Sequence, residues 1–149
     1  MPGDSPITTS DPHEAIRQWY ALLSGYCAAV DYGSAEAIFA PDVFSFGTKA
    51  RVVQGLEHVR ANQWEGIWPN IADFEIDLAQ IASGGDTGTA WGVTTWTSTG
   101  FDRDGKPYDR PGRATIILER RDRGWLAVHT HFSLAPGAPQ QTFGAGGAR

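Results

Sequence analysis

Two rhythms of apolar residues divide this chain. In the first, Ile16, Trp19, Tyr20, Leu23, Tyr26, Cys27 and Val30 follow the i, i+3, i+4, i+7 spacing of one buried helical stripe. Asp11 stands as N-cap before Pro12, and Glu14 follows three residues after the cap, so the helix starts at Pro12. Gly33 supplies its stop. Ser34 can cap a second, short helix that reaches Phe39 before Pro41 ends it. Val43–Phe46 and the pair Val52, Val53 read as brief extended pieces. The spacing of Leu56, Val59 and Ile67 predicts a third helix to Trp68, closed by Pro69 and Asn70.

From Ile71 the period changes to two. Phe74, Ile76 and Leu78 alternate with Asp73, Glu75 and Asp77, the mark of an antiparallel strand with one wet face running to Ala82. Gly84, Gly85 and Asp86 turn the chain, and Thr89–Thr99 is dense in Trp, Val and Thr. Asp102, Arg103, Asp104 and Gly105 turn it again, into strands from about Tyr108 to Arg121 and from Trp125 to Leu134. Helices first and a meander afterwards predict an α+β domain over residues 11–135, with three helices on one face of a curved, mainly antiparallel sheet. Residues 1–10 and 136–149 are small and polar with almost nothing to pack, so both read as flexible tails.

The last strand carries the first candidate chemistry. Simple alternation puts Trp125, Ala127, His129, His131 and Ser133 on one side and Leu126, Val128, Thr130 and Phe132 on the other. Two imidazoles then share a face, able to move protons, bind metal or orient a polar ligand. Charge narrows the partners. A net charge of −5 and a pI near 5.2 exclude a nucleic-acid partner, which needs a basic face. Arg120, Arg121 and Arg123 flank Asp122 in a turn and read as a solvated cluster. The single Cys27 forms no internal disulfide. No apolar run approaches the roughly 20 residues that span a membrane, and no basic segment precedes an apolar one at the start. The expectation is a cytoplasmic protein with no membrane partner.

Four segments carry a family resemblance: Val-Asp-Tyr-Gly-Ser-Ala-Glu-Ala-Ile from Val30, Phe-Ala-Pro-Asp-Val-Phe-Ser-Phe-Gly from Phe39, Val-Gln-Gly-Leu-Glu-His-Val from Val53, and Gly-Trp-Leu-Ala-Val-His-Thr-His-Phe-Ser from Gly124. With the element order, they resemble the SnoaL-like branch of the nuclear transport factor 2-like superfamily, related to ketosteroid isomerases and polyketide cyclases. The resemblance implies a cone-shaped, cystatin-like fold. That fold hosts isomerases, cyclases, dehydratases, epoxide hydrolases and non-catalytic association domains, so the site decides the function. Laid on ketosteroid isomerase, Tyr26 matches the tyrosine that donates to the steroid oxyanion. The isomerase's two acids fall near Gly47 and Ile117, so neither is present and a steroid isomerase is not implied.

The same alignment turns Trp91, Val93, Thr95, Arg113, Thr115, Ile117, His129, His131 and Ser133 into the cone. Trp19, Gln63 and Trp68 join them as ligand-binding candidates, and Trp64 is expected to mix core packing with pocket lining. Trp96, of opposite parity to Trp91, would face out with Thr94, Ile116, Leu118, Thr130 and Phe132 and cover a homodimer interface. Arg113 would need water, an anionic or carbonyl ligand, or a partner such as Asp42. A His-x-His metal site would want a third ligand, and Glu119 is the one convenient carboxylate, so no metal is expected. Two readings follow. One is a cofactor-free isomerase or lyase acting on a small, apolar, oxygen-bearing molecule, with His131 or His129 as acid or base, Tyr26 donating to an oxyanion and Arg113 stabilising charge. The other is a non-catalytic binding or dimeric association module.

Overall fold

The computed structural model describes residues 3–49 and 51–148. Helix α1 (Pro12–Ala29) begins as its sequence predicts, with Asp11 Oδ1 accepting the His13 amide at 3.0 Å. It ends earlier than Gly33. Val30 adopts the left-handed conformation (φ 53°), its amide bonds Cys27 O, and the Asp31 amide bonds Tyr26 O, which satisfies the last carbonyls. Asp31, not Ser34, then caps α2 (Tyr32–Glu36), accepting from the Ser34 amide.

Strands β1 (Phe39–Phe46) and β2 (Val53–Gln54) precede the third helical stretch. That stretch consists of α3 (Leu56–Val59), a π-helical turn at Arg60–Trp64, α4 (Glu65–Ile67) and a 3₁₀ turn at Trp68–Asn70. Chain from Ala72 onward is strand, in shorter pieces than the alternation suggests: β3 (Ala72–Ile76), β4 (Ala82–Gly85), β5 (Thr89–Phe101), β6 (Pro107–Asp109), β7 (Gly112–Arg121) and β8 (Gly124–Leu134). The eight strands form one sheet in the order β2-β1-β8-β7-β5-β3, with β4 and β6 also paired to β5. Every pairing is antiparallel except β1 with β8. Helices packed on a curved, mainly antiparallel sheet are the cone expected. Among the described residues no helix is long and apolar enough to cross a membrane.

Register decides what faces the helices. Across β5, β7 and β8 the rows Ala90–Leu118–Ala127, Gly92–Ile116–Thr130, Thr94–Ala114–Phe132 and Trp96–Gly112–Leu134 lie on the helix side. Small residues there let α1 approach. A Cβ on Gly92 would stand 2.4 Å from Ile16, and the Tyr20 hydroxyl donates to the carbonyls of Gly92 and Ala114 at 3.0 and 3.2 Å. The alternate rows, Trp91–Ile117–His129 and Val93–Thr115–His131, lie on the outer face, beside Phe44 and Phe46 of β1.

One irregularity corrects the simple alternation of β8. Ile117 pairs with His129 but Leu118 pairs with Ala127, so Val128 is an extra, bulged residue. Trp125 and Ala127 therefore turn into the core, whereas His129, His131 and Ser133 turn outward. The end segments also differ from tails with little to pack. Ile7 is fully buried, the Trp125 amide donates to Ile7 O at 3.0 Å, and Trp125 Nε1 donates to Thr9 O at 2.7 Å. At the other end, Thr142 Oγ1 donates to Asn70 O at 2.7 Å and the Phe143 amide to Phe101 O at 2.9 Å. Backbone pairing anchors these segments where side-chain hydrophobicity gives no hint of it.

Candidate functional site

The cone holds a cavity of about 70 Å³ between the helices and the inner sheet face. Its walls are Leu23 and Cys27 of α1, Phe39 of β1, Gly47–Lys49, then Gln63, Trp64, Ile67, Trp68 and Ile71, and Phe74, Trp96, Arg110, Thr130 and Phe132. At about 10–15 Å³ for each water, this is room for roughly five to seven waters, the space of a single ring with a short polar substituent. Aromatic rings make most of the lining. Trp64 stacks on Trp68 with centroids 4.9 Å apart and planes 16° apart, Phe39 meets Trp64 edge-on at 4.9 Å, and Phe74 lies 5.5 Å from Trp96.

Local geometry explains how these side chains reach the cavity. The π-helical turn closes with the Glu65 amide on Arg60 O, an i to i+5 bond that widens the helix just where Gln63 and Trp64 point inward. Gly47 leaves room for Gln63, since a Cβ there would stand 2.8 Å from its amide carbon. Gly112 does the same for Trp96, whose ring atoms would lie 2.1 and 2.3 Å from an added Cβ.

Arg110 sits in the short link between β6 and β7. Its backbone exchanges hydrogen bonds with Ser98, at 2.9 and 3.0 Å, which fixes it inward two residues before Gly112. The residue is 2% exposed. Its Nη2 donates to Thr48 Oγ1 at 3.0 Å, its Nη1 reaches Ser98 Oγ at 3.4 Å, and its guanidinium carbon lies 5.4 Å from the Trp96 ring centre. No carboxylate pairs with it among the described residues. Burial pulls its pKa down, although a guanidinium stays charged in a protein.

Three buried polar side-chain atoms among the described residues lack any partner: Arg110 Nε, Trp96 Nε1 and Gln63 Nε2. All three residues line this cavity, and all three atoms are donors. Gln63 turns its oxygen to Ser45 Oγ at 3.0 Å, and Ser45 in turn bonds Thr130, which leaves the amide nitrogen free. Cys27 also lines the wall, but burial pushes its thiol up to about 12, with the Arg110 charge opposing only in part. Such a thiol is a packing group and not a nucleophile.

The residues expected in the cone divide unevenly. Gln63 and Trp68 line it. Trp19 is fully buried in the core, where Nε1 donates to Ile38 O at 2.8 Å. Tyr26 is half-buried against the core and is not part of the cavity wall; burial and then the Asp31 charge raise its phenol pKa. Trp91, Val93, Thr95, Arg113, Thr115, Ile117, His129, His131 and Ser133 belong to the outer face, so the sheet itself separates them from the cavity.

On that outer face they do converge. His129 Nδ1 lies 3.1 Å from Phe44 O, Phe46 meets both imidazoles edge-on at 5.1 Å, and Arg113 Nε donates to Ser133 Oγ at 3.0 Å. Burial, then the charges of His129 and Arg113, lower the His131 pKa. Asp42 and Glu119 both pair with Arg121, at 2.9 and 3.1 Å, and not with Arg113. Trp96, with Thr94, Ile116, Leu118, Thr130 and Phe132, faces in and not out as its parity against Trp91 suggested. Among the described residues no three His, Cys, Asp or Glu side chains are arranged to hold a metal ion.

Sequence reasoning missed Arg110 and Trp96 as cavity residues; Trp64, expected to line the pocket, does so. The signal was available in Gly92, Gly112, Ala90 and Ala114, because small residues mark the sheet face on which a helix lies.

The family model of the SnoaL-like domain matches residues 13–137, and the chain belongs to this family. No curated protein matches it. Solved structures share its fold. One is a protein from Xanthomonas campestris provisionally named as a calcium/calmodulin dependent protein kinase II association domain, 22% identical over 93% of this chain and 99% of that one, with a TM-score of 0.70. A nuclear transport factor 2-like superfamily protein from Salmonella enterica serovar Typhimurium is 17% identical over 88% and 96% of the two chains, with a TM-score of 0.71. A protein from Streptomyces avermitilis, provisionally named as a dehydratase of the same family, is 15% identical over 87% and 100%, with a TM-score of 0.71. At these identities the likeness shows the fold and leaves the chemistry to the site.

Proposed function

We propose that this SnoaL-like domain binds a small, largely apolar, oxygen-bearing organic molecule inside its cone. The observation that carries the reading is the aromatic-walled cavity, three of whose lining residues carry unpartnered buried donors. Unpaired buried polar atoms cost free energy, and a ligand that supplies acceptors removes that cost. The titratable side chains on the wall are Cys27, Lys49 and Arg110. Cys27 is a packing thiol and Arg110 keeps its proton, so Arg110 binds and polarises a ligand oxygen, and any proton removal falls to water or to the ligand itself. This favours the binding reading over an isomerase or lyase built on His129 and His131.

The outer sheet face supports a homodimer. Phe44 and Trp91 are 47% and 46% exposed, and they flank the half-buried His129, His131 and Ile117 on one patch. Light scattering on Trp91→Asp tests this, with a monomer expected and an unchanged dimer against it.

The cavity is tested by thermal shift with small ketones, enones and aromatic acids on three proteins. Wild type and His131→Ala should respond alike, because His131 lies across the sheet. Gly47→Leu, whose side chain enters the cavity beside Gln63, should lose the response. A shift abolished by His131→Ala and kept by Gly47→Leu would move the binding site to the outer face.

A further inference from the structure

An uncharged oxygen would satisfy the cavity's donors one at a time, but the composition of the site asks for more. Its free atoms are donors from a guanidinium, an indole and an amide, and its one buried charge is positive. The hydroxyls that touch that charge, on Thr48 and Ser98, are neutral and cannot balance it. A buried cation without a counter-charge is retained at a cost to stability, and the missing partner that would offset it is an anion. The remaining walls, from Trp64, Trp68, Phe39, Phe74 and Phe132, exclude a hydrated inorganic ion and favour a flat apolar body.

We propose that the ligand is an organic monoanion, a ring-sized apolar carboxylic acid whose carboxylate is held by Arg110, Trp96 Nε1 and Gln63 Nε2. This rests on the cavity being a binding site and names the class of molecule that fills it. Arg110 supplies the charge; Trp96 and Gln63 complete the carboxylate's hydrogen bonds. Thr48 and Ser98 hold the guanidinium's outer nitrogens, so Nε is the edge left for the ligand. Hydrogen bonds between ions are shorter and roughly twice as strong as neutral ones, so the acid is preferred over its uncharged isostere.

The test compares trans-cinnamate with cinnamamide and cinnamyl alcohol by titration calorimetry on wild type, Arg110→Met and Arg110→Lys. The acid is expected to bind wild type at least tenfold more tightly than the amide. Arg110→Met should abolish the preference and Arg110→Lys keep part of it. The preference should also persist at about 0.5 M salt, because buried charges are screened far less than exposed ones. Equal binding of acid and amide to wild type overturns the anion while leaving the cavity reading intact, and this comparison requires no variant to fold. A preference that vanishes with salt, or survives in Arg110→Met, assigns the anion to exposed cations such as Lys49 or Arg113 and also overturns it. Failure of all three compounds to bind at millimolar concentration overturns both readings.

Discussion

Replacing Arg110 by methionine should make the ligand-free protein more stable. Burying an ion costs several kcal/mol even after the protein relaxes around it, and among the described residues no carboxylate pairs with Arg110 to offset that cost. Its compensation consists of one well-formed hydrogen bond to Thr48, a long one to Ser98 and the face of Trp96 at 5.4 Å. A charge-assisted hydrogen bond contributes about 1.5–3 kcal/mol and a cation–π contact about 0.5–2 kcal/mol. Methionine fits the same volume and leaves little behind. Ser98 Oγ still donates to the backbone carbonyl of residue 110, and Thr48 is near enough to the surface to find water. The balance favours methionine by about 1–3 kcal/mol, or roughly 2–12 °C in midpoint for a chain of this size. Urea and thermal denaturation of both proteins without ligand measure this. A midpoint that falls by several degrees would show that Arg110 ties β6 and β7 together as a structural element, and the argument from an uncompensated charge would fail.

Other expectations follow from the same structure. Val30 holds a left-handed backbone conformation that costs a β-branched residue about 1–2 kcal/mol, so Val30→Asn should raise the urea midpoint with an unchanged slope. Gly112→Ala drives a methyl into Trp96 and the Ser133 carbonyl, and should destabilise by about 1–3 kcal/mol while shifting the near-ultraviolet tryptophan signal. The folded-state pKa of His131 lies below its ordinary value, so the unfolded chain takes up a proton first as pH falls. That contribution is present above about pH 6.5 and is lost as pH drops through it. His131→Gln should therefore flatten the stability profile between roughly pH 5 and 7, and an unaltered profile would contradict the assignment. The Cys27 thiol, pushed up to about 12, should resist iodoacetamide at pH 8 in the native protein and react once urea unfolds it.

How much of this was legible in the chain depended on how local the signal was. The α1 stripe, the Asp11 cap and the order of helices before strands were readable because each rests on neighbours in sequence. Strand parity was not. Each face of β5 carries a tryptophan and at least one threonine, so hydrophobicity does not say whether Trp91 or Trp96 faces in, and a register error exchanges the whole set. The bulge at Val128 compounded this by giving the two halves of β8 opposite faces. Arg110 fell outside any alternation, in the link before Pro111, and its inward aim comes from the paired hydrogen bonds with Ser98, a contact twelve residues away. Gln63, Trp64 and Trp68 were recovered because they lie on or beside the apolar stripe of the third helix; the π-helical turn that brings Trp64 inward is announced by no periodicity.

A crystal structure of the protein grown with trans-cinnamate bears on the whole argument at once. It should place the ring against Trp64, Trp68 and Phe74 and the carboxylate within hydrogen-bond distance of Arg110 Nε and Trp96 Nε1. Cinnamate bound instead beside His129 and His131 on the outer sheet face, with the cone free of ligand, would contradict it.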